Sequence, residues 1–170
     1  MATLQRYTDR RVLITGGGSG IGQACVLRVL EEGGRVAAAD ISESGLKDTV
    51  AKAGDAAAGL TTVAMDVGSE DSVKAGVQQA IQALGGLDTL VNVAGILRSA
   101  HFLDTSLAGF EQVLRINLVG TFLVTREALP ALRDGHAPAV VNFSSTSASF
   151  AHPYMSAYAA SKGGVQAMTH

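Results

Sequence analysis

Tyr158 and Lys162 stand four residues apart in Tyr158-Ala-Ala-Ser-Lys162, a spacing that puts both side chains on one face of a helix. A free phenol, with a reference pKa of about 10, is a poor base at neutral pH. An ammonium beside it stabilises the phenolate. Such a pair can take a proton from an alcohol as hydride leaves, or return one to a carbonyl. Ser145 follows a β-rich run just upstream and could hold the substrate oxygen. Tyr154 is a decoy, because the position four residues on is Tyr158 itself. Tyr-x-x-x-Lys pairs are common on surface helices, so their weight depends on what precedes them.

What precedes them reads as a dinucleotide site. Thr15-Gly16-Gly17-Gly18-Ser19-Gly20-Ile21-Gly22 follows the first β-rich run and opens a helix. Glycines there let backbone approach a pyrophosphate, and the helix start offers free N–H groups and a positive dipole end. Gly16, Gly18, Ser19, Gly20, Ile21 and Gly22 are therefore cofactor-binding candidates. Asp40 ends the second run, 18 residues past Gly22. A carboxylate there can accept hydrogen bonds from the adenosine ribose and repel a 2′-phosphate. No Arg or Lys follows it, so NAD is favoured over NADP. Asp66-Val67 and Asn92-Val93-Ala94-Gly95 follow the third and fourth runs. Small residues there let adenine and ribose lie along the sheet edge, although each alone also reads as turn chemistry. Asn117 interrupts an apolar helical stretch and must be hydrogen-bonded if buried.

The elements that must position these residues alternate. The expected strands are Arg11–Thr15, Arg35–Asp40, Leu60–Met65, Leu87–Val93 and Ala139–Ser144, each nearly continuous in Val, Ile, Leu and Ala. Ser42 and Ser69 read as helix caps, and Gly33-Gly34 and Gly85-Gly86 as helix stops. Tyr154 to Lys162 begins the last helix. The β-α alternation with right-handed crossovers predicts an α/β fold, a doubly wound, Rossmann-like parallel sheet. Ligands then sit beyond the carboxyl ends of the strands.

Composition excludes several other classes. The chain has 170 residues, with 13 Lys plus Arg against 15 Asp plus Glu, so no basic footprint for nucleic acid exists. The single Cys25 cannot form an internal disulfide, and the four scattered His support no metal site. Cys25 reads as a packed thiol, and His101 and His152 as loop residues bordering the site. The start has no signal-like apolar stretch. Val113 to Leu132 is broken by Arg115, Asn117, Arg126 and Glu127, so it reads as a core helix rather than a membrane span. A soluble, cytoplasmic protein is expected.

In this ordered set of motifs the sequence resembles the short-chain dehydrogenase/reductase family, in its shorter, non-extended branch. The G-x-x-x-G-x-G spacing separates it from the extended epimerases and dehydratases. The resemblance runs from Gly16 to Lys162 and beyond. It implies strand order 3-2-1-4-5 and Tyr158 as general acid/base. It also implies that Lys162 assists Tyr158 and bonds the nicotinamide ribose. Ser145 would orient the substrate oxygen, chosen over Ser144 for its offset to Tyr158, and Asn117 would hold a water in a proton relay. Val93 departs from the pattern, where the family often has a second Asn. The implied activity is NAD-dependent hydride transfer between a secondary alcohol or ketone and nicotinamide. Alternatives are a non-catalytic dinucleotide-binding form and an NADP-using 3-oxoacyl thioester reductase. The implied assembly is a homodimer or homotetramer. Family members continue past the position of His170, so residues 1–170 are expected to be a single dinucleotide-binding and catalytic domain, C-terminally incomplete, ending inside the Tyr-Lys helix.

Overall fold

The computed structural model describes residues 4–150 and 152–169. Strands β1 (Arg11–Thr15), β2 (Arg35–Asp40), β3 (Leu60–Ala64), β4 (Thr89–Asn92) and β5 (Ala139–Asn142) form one parallel sheet in the order β3-β2-β1-β4-β5, as expected. Helices α1 (Gly20–Glu31), α2 (Glu43–Ala53) and α3 (Glu70–Leu84) connect the first four strands. A single continuous helix, α4 (Leu107–Arg133), leads to β5, and α5 (Ser156–Met168) follows it. His170, where the sequence reading cuts the last helix, lies outside the described residues.

Both faces of the inner strands β1, β2 and β4 are covered, which is why they read as unbroken apolar runs, whereas Ala139 and Val141 of edge strand β5 are exposed. Val12, Ile14, Val36 and Ala38 pack on one face against Val26, Val29 and Leu30 of α1 and Leu46 of α2. Leu13, Ala37, Ala39, Val63 and Leu90 face the other way, against α3 and the second half of α4. α4 is long and apolar enough to cross a bilayer by length and composition. Its Val113, Leu123, Val124, Ala128 and Leu132 are instead buried in the protein, as the charge-interrupted sequence predicts.

Three strands stop earlier than expected. β4 begins at Thr89 rather than Leu87, because its register with β1 runs only from Val12↔Thr89 to Thr15↔Asn92. Beyond Asn92 the chain leaves the ladder, and the N–H groups of Val93 and Ala94 donate to Thr15 Oγ1 at 3.1 and 3.2 Å. β3 ends at Ala64, and β5 at Asn142, opposite the last paired residue of β4. The last helix starts at Ser156, not Tyr154, which has a left-handed φ of 65° and cannot belong to it. Ser42 and Ser69 cap α2 and α3 as expected, accepting from Gly45 N–H and Ser72 N–H.

The amino side of the sheet is closed by paired charges. Asp88 accepts from Arg11 through its main-chain N–H, Nε and Nη2, and from His136 N–H. Those donors hold its carboxyl well below the usual range. Glu32, at the end of α1, is fully buried and takes hydrogen bonds from Arg6 and Arg28. Arg6, and after it Arg28, overcome the cost of burial and hold the Glu32 carboxyl down to about 2 from an ordinary 4.5. A carboxyl depressed in the folded state contributes stability above its unfolded pKa and loses it as pH falls toward the folded one. Glu32→Gln should therefore melt below the wild type at neutral pH. The gap should hold down to about 4.5 and close as pH falls toward about 2. Thermal denaturation across that range checks it, and a pH-independent gap would contradict it.

Candidate active site

Along the carboxyl ends of the strands runs a cleft of about 470 Å³. Twelve of the expected site residues line it: Gly16, Ser19, Gly20, Ile21 and Gly22, then Asp40, Asp66, Val67, Ala94 and Gly95, and finally Tyr158 and Lys162. Gly18, Asn92, Asn117 and Ser145 do not.

The glycine-rich turn builds the first end. Gly22 is dictated by space: a Cβ there would stand 2.0 Å from Gly16 O. The turn therefore folds tightly onto the first turn of α1. Ser19 occupies the N-cap of α1 but makes no side-chain capping bond. In contrast, Ser42, Ser69 and Ser106 all cap their helices through their hydroxyls. The start of α1 thus opens on the cleft with N–H groups that no cap has taken, the arrangement that binds an anion. Gly18 lies behind this surface, where its N–H donates to Asp40 Oδ2 at 2.9 Å.

Asp40 also accepts from Ser42 N–H through Oδ1 at 2.8 Å, so each carboxylate oxygen is oriented and keeps a lone pair for a ligand. Asp66 is fixed by Gly68 N–H on Oδ1, at 2.8 Å. Asn92 is a departure from expectation. It is buried, and its Nδ2 donates to Thr125 Oγ1 and Asn142 Oδ1 at 3.0 and 2.9 Å. The side chain joins β4, β5 and α4, and its spacing in the turn motif could not reveal this.

The other end holds the Tyr-Lys pair. Lys162 is buried, 6% exposed, and its Nζ donates to Phe143 O at 2.7 Å. Nζ lies 5.8 Å from the Tyr158 ring centroid. Among the described residues no carboxylate pairs with it, and burial pushes its pKa down. Ser144, rather than Ser145, lines the cleft, and its hydroxyl donates to Lys162 O at 3.0 Å. Ser145 Oγ is engaged by Ser147 N–H and Oγ at 3.2 and 3.0 Å, starting a short turn. Tyr154, His101 and His152 are not among the residues lining the cleft. Tyr154 packs on the segment beyond β4. Its ring meets His101 edge-on at 4.5 Å, and its carbonyl accepts from Ala100 N–H. His152 approaches Thr146 Oγ1 at 3.4 Å.

Asn117 is fully buried within a π-helical turn, Arg115–Val119, that widens α4. Both amide hydrogens are committed, to Ile96 O at 2.9 Å and Ser161 Oγ at 3.0 Å, and Oδ1 accepts from Ile96 N–H at 2.8 Å. Only a lone pair on Oδ1 is left for a water. Cleft residues absent from the sequence reading include Met65, Ile96, Leu97, Ile116 and Phe143. Most of them sit within a few residues of a strand end, the one signal that could have found them.

A family model described as short chain dehydrogenase matches residues 10–170. The chain is 36% identical over 164 residues to the 3-oxoacyl-(acyl-carrier-protein) reductase FabG of Thermotoga maritima, covering 96% of itself and 67% of that protein. It is 35% identical over 165 residues to the 2-dehydro-3-deoxy-L-rhamnonate dehydrogenase (NAD(+)) of a Sphingomonas species, covering 96% and 65%. The crystal structure of levodione reductase superposes with a TM-score of 0.91 at 36% identity, over 96% of this chain and 65% of that one. The chain thus spans about two thirds of the length of the relatives it matches. With its five-stranded sheet, its uncapped glycine turn and its Tyr-Lys cleft, this chain belongs to the short-chain dehydrogenase family.

Proposed function

We propose that the protein is an oxidoreductase that binds NAD along the cleft and interconverts a secondary alcohol and a carbonyl compound. One observation carries this reading. Lys162 is a buried ammonium with no carboxylate partner among the described residues, beside Tyr158 in the cleft that begins at the glycine-rich turn. Burying an unpaired charge is costly, and such groups cluster where a charge is used.

The residues fit a dinucleotide. The open start of α1 suits the pyrophosphate, and the carboxylate of Asp40 suits the adenosine ribose hydroxyls. Asp66 and Val67 would flank the adenine, and Ala94 and Gly95 leave room along the sheet edge. Lys162 would bond the nicotinamide ribose. When bound, the nicotinamide supplies a hydride donor or acceptor. Tyr158 then moves the proton at the substrate oxygen, and Lys162 favours its phenolate electrostatically. Ser144 and Ser145 compete for the role of orienting that oxygen. Ser144 lines the cleft but donates its hydrogen to Lys162 O, whereas Ser145 Oγ accepts from Ser147 and keeps its own O–H to donate. A cytoplasmic homodimer or homotetramer belongs to the same reading.

A second reading, an NADP-using 3-oxoacyl thioester reductase, draws on the similarity to the Thermotoga reductase. Asp40 separates the two. Its carboxylate meets a 2′-phosphate as like charge, so NADH should bind at least about tenfold more tightly than NADPH, a gap of ~1.4 kcal/mol. Asp40→Asn should shrink that gap. Fluorescence titration with both cofactors decides, and tighter NADPH binding in the wild type favours the second reading.

Tyr158→Phe tests the chemistry. It should leave NADH affinity within about twofold and lower turnover on a secondary alcohol and ketone panel by about 10²–10⁴-fold, the range for a lost acid/base group. Undiminished turnover would sink the assignment of Tyr158.

A further inference from the structure

Behind the glycine-rich turn lies a buried polar cluster on α1 and α2 that the cleft chemistry does not use. Thr49 Oγ1 lies 2.8 Å from Gly17 O and 3.0 Å from Gly45 O, so its one hydrogen serves the turn at the shorter distance. Gln23 Nε2 lies 2.8 Å from Thr49 Oγ1, 3.0 Å from Asp48 Oδ2 and 3.3 Å from Gly18 O, so its two hydrogens serve the first two and Gly18 O takes a longer, shared contact. Thr49 is fully buried and Gln23 nearly so. Lys52 Nζ donates to Gln23 Oε1 at 2.9 Å, while Asp48 Oδ2 accepts from Gln23 Nε2 at 3.0 Å. Those two partners fix which end of the Gln23 amide faces the turn. Gly45 completes the contact. A Cβ there would stand 2.7 Å from Gly18 O, which explains a glycine inside a helix, where alanine is otherwise preferred.

We propose that Thr49 and Gln23 are positioning residues for the dinucleotide pyrophosphate, an inference that rests on the NAD-binding reading above. A peptide unit is planar and trans, so its N–H points opposite to its C=O. The unit from Gly17 to Gly18 is held at both ends, by Thr49 on its carbonyl and Asp40 on its N–H. The Gly18 carbonyl of the next unit faces Gln23 Nε2 through the longer, shared contact, which puts the Ser19 N–H on the opposite side. Glycine units flip easily, because no Cβ opposes the rotation. A flip of the Gly18–Ser19 unit would present an oxygen where the anion needs a donor, and a flip of the Gly17–Gly18 unit would turn an oxygen onto the Asp40 carboxylate. The cluster blocks either flip and keeps the donors aimed before any ligand arrives.

The test uses the full chain as wild type, Thr49→Val, Thr49→Ser and Gln23→Leu. NADH and adenosine, which lacks the pyrophosphate, are titrated by fluorescence and calorimetry. Hydrogen exchange is followed in the turn and in α3, alongside melting temperature. Thr49→Val should raise the Kd for NADH about tenfold, equivalent to one net hydrogen bond of ~1.4 kcal/mol, and Thr49→Ser should restore it. Adenosine affinity should fall clearly less than NADH affinity, since its ribose partner Asp40 keeps Ser42 N–H on Oδ1 when Gly18 N–H is lost. Exchange should quicken in the turn and not in α3. Gln23→Leu should act in the same direction, and it carries the test if Thr49→Val fails to fold. Unchanged NADH affinity in both folded variants, or an equal loss for NADH and adenosine, overturns the inference alone. A wild type that binds neither NADH nor NADPH overturns the NAD-binding reading and this inference with it.

Discussion

The hydroxyl of Thr15 accepts hydrogen bonds from two successive N–H groups, those of Val93 and Ala94, at the last residue of the central strand. Much else depends on that contact. β1 pairs with β2 on one side and β4 on the other, so the chain leaves β1 and β4 in divergent directions and a crevice opens between them. The contact fixes the floor of the crevice, since the loop after β4 is tied to the residue from which the glycine-rich turn departs. Helices cover both faces of the central strands β1 and β2. Polar side chains serving chemistry therefore gather at this edge, where backbone groups have run out of ladder partners.

The two ends of the sheet treat buried charge in opposite ways. On the amino side, Asp88 and Glu32 are surrounded by donors that match their acceptor oxygens, and both carboxyls are held in the ionised form. These charges are fully answered within the chain, which is what a structural role requires. On the carboxyl side the pattern inverts. Ser19 does not cap its helix, and among the described residues Lys162 has one acceptor for an ammonium with three donors. Unused valence on one side and saturated valence on the other support the proposed placement of the active site at the carboxyl edge.

Much of this was legible in the sequence, for definable reasons. Strands buried on both faces read as apolar runs. Serine caps and glycine stops have local mechanisms, so Ser42, Ser69 and Gly85 fell where expected. What was hidden depends on register or on partners distant in sequence. Counting residues back from Tyr158 selects Ser145, and only the structure shows that its Oγ accepts from Ser147 at the start of a short turn while Ser144 lines the cleft. Asn92 sits in a turn motif by sequence, but the register with Asn142 makes it a strut between β4, β5 and α4. Tyr154 belongs to the helical pattern by spacing, and only its positive φ removes it.

Asn117 shows how a helix irregularity and a site geometry are one fact. A regular α-helix through Arg115–Val119 would keep a uniform rise, whereas the π-turn there inserts extra width, a feature that recurs at functional sites. The side chain housed in that width bridges three elements. It grips both backbone groups of Ile96, beyond β4, and donates to Ser161 Oγ on α5. Ser161 in turn donates to Tyr158 O at 2.7 Å and immediately precedes Lys162. The helix carrying the Tyr-Lys pair is thus located against the cleft floor through one buried amide. Its depth relative to Gly95, whose added Cβ would stand 3.1 Å from Asn117 Oδ1 and 3.8 Å from Lys162 Nζ, follows from the same contact. An apolar residue at 117 would satisfy the helix and remove the partner of Ile96 N–H, Ile96 O and Ser161 Oγ, so here the polar side chain is the fold's own requirement.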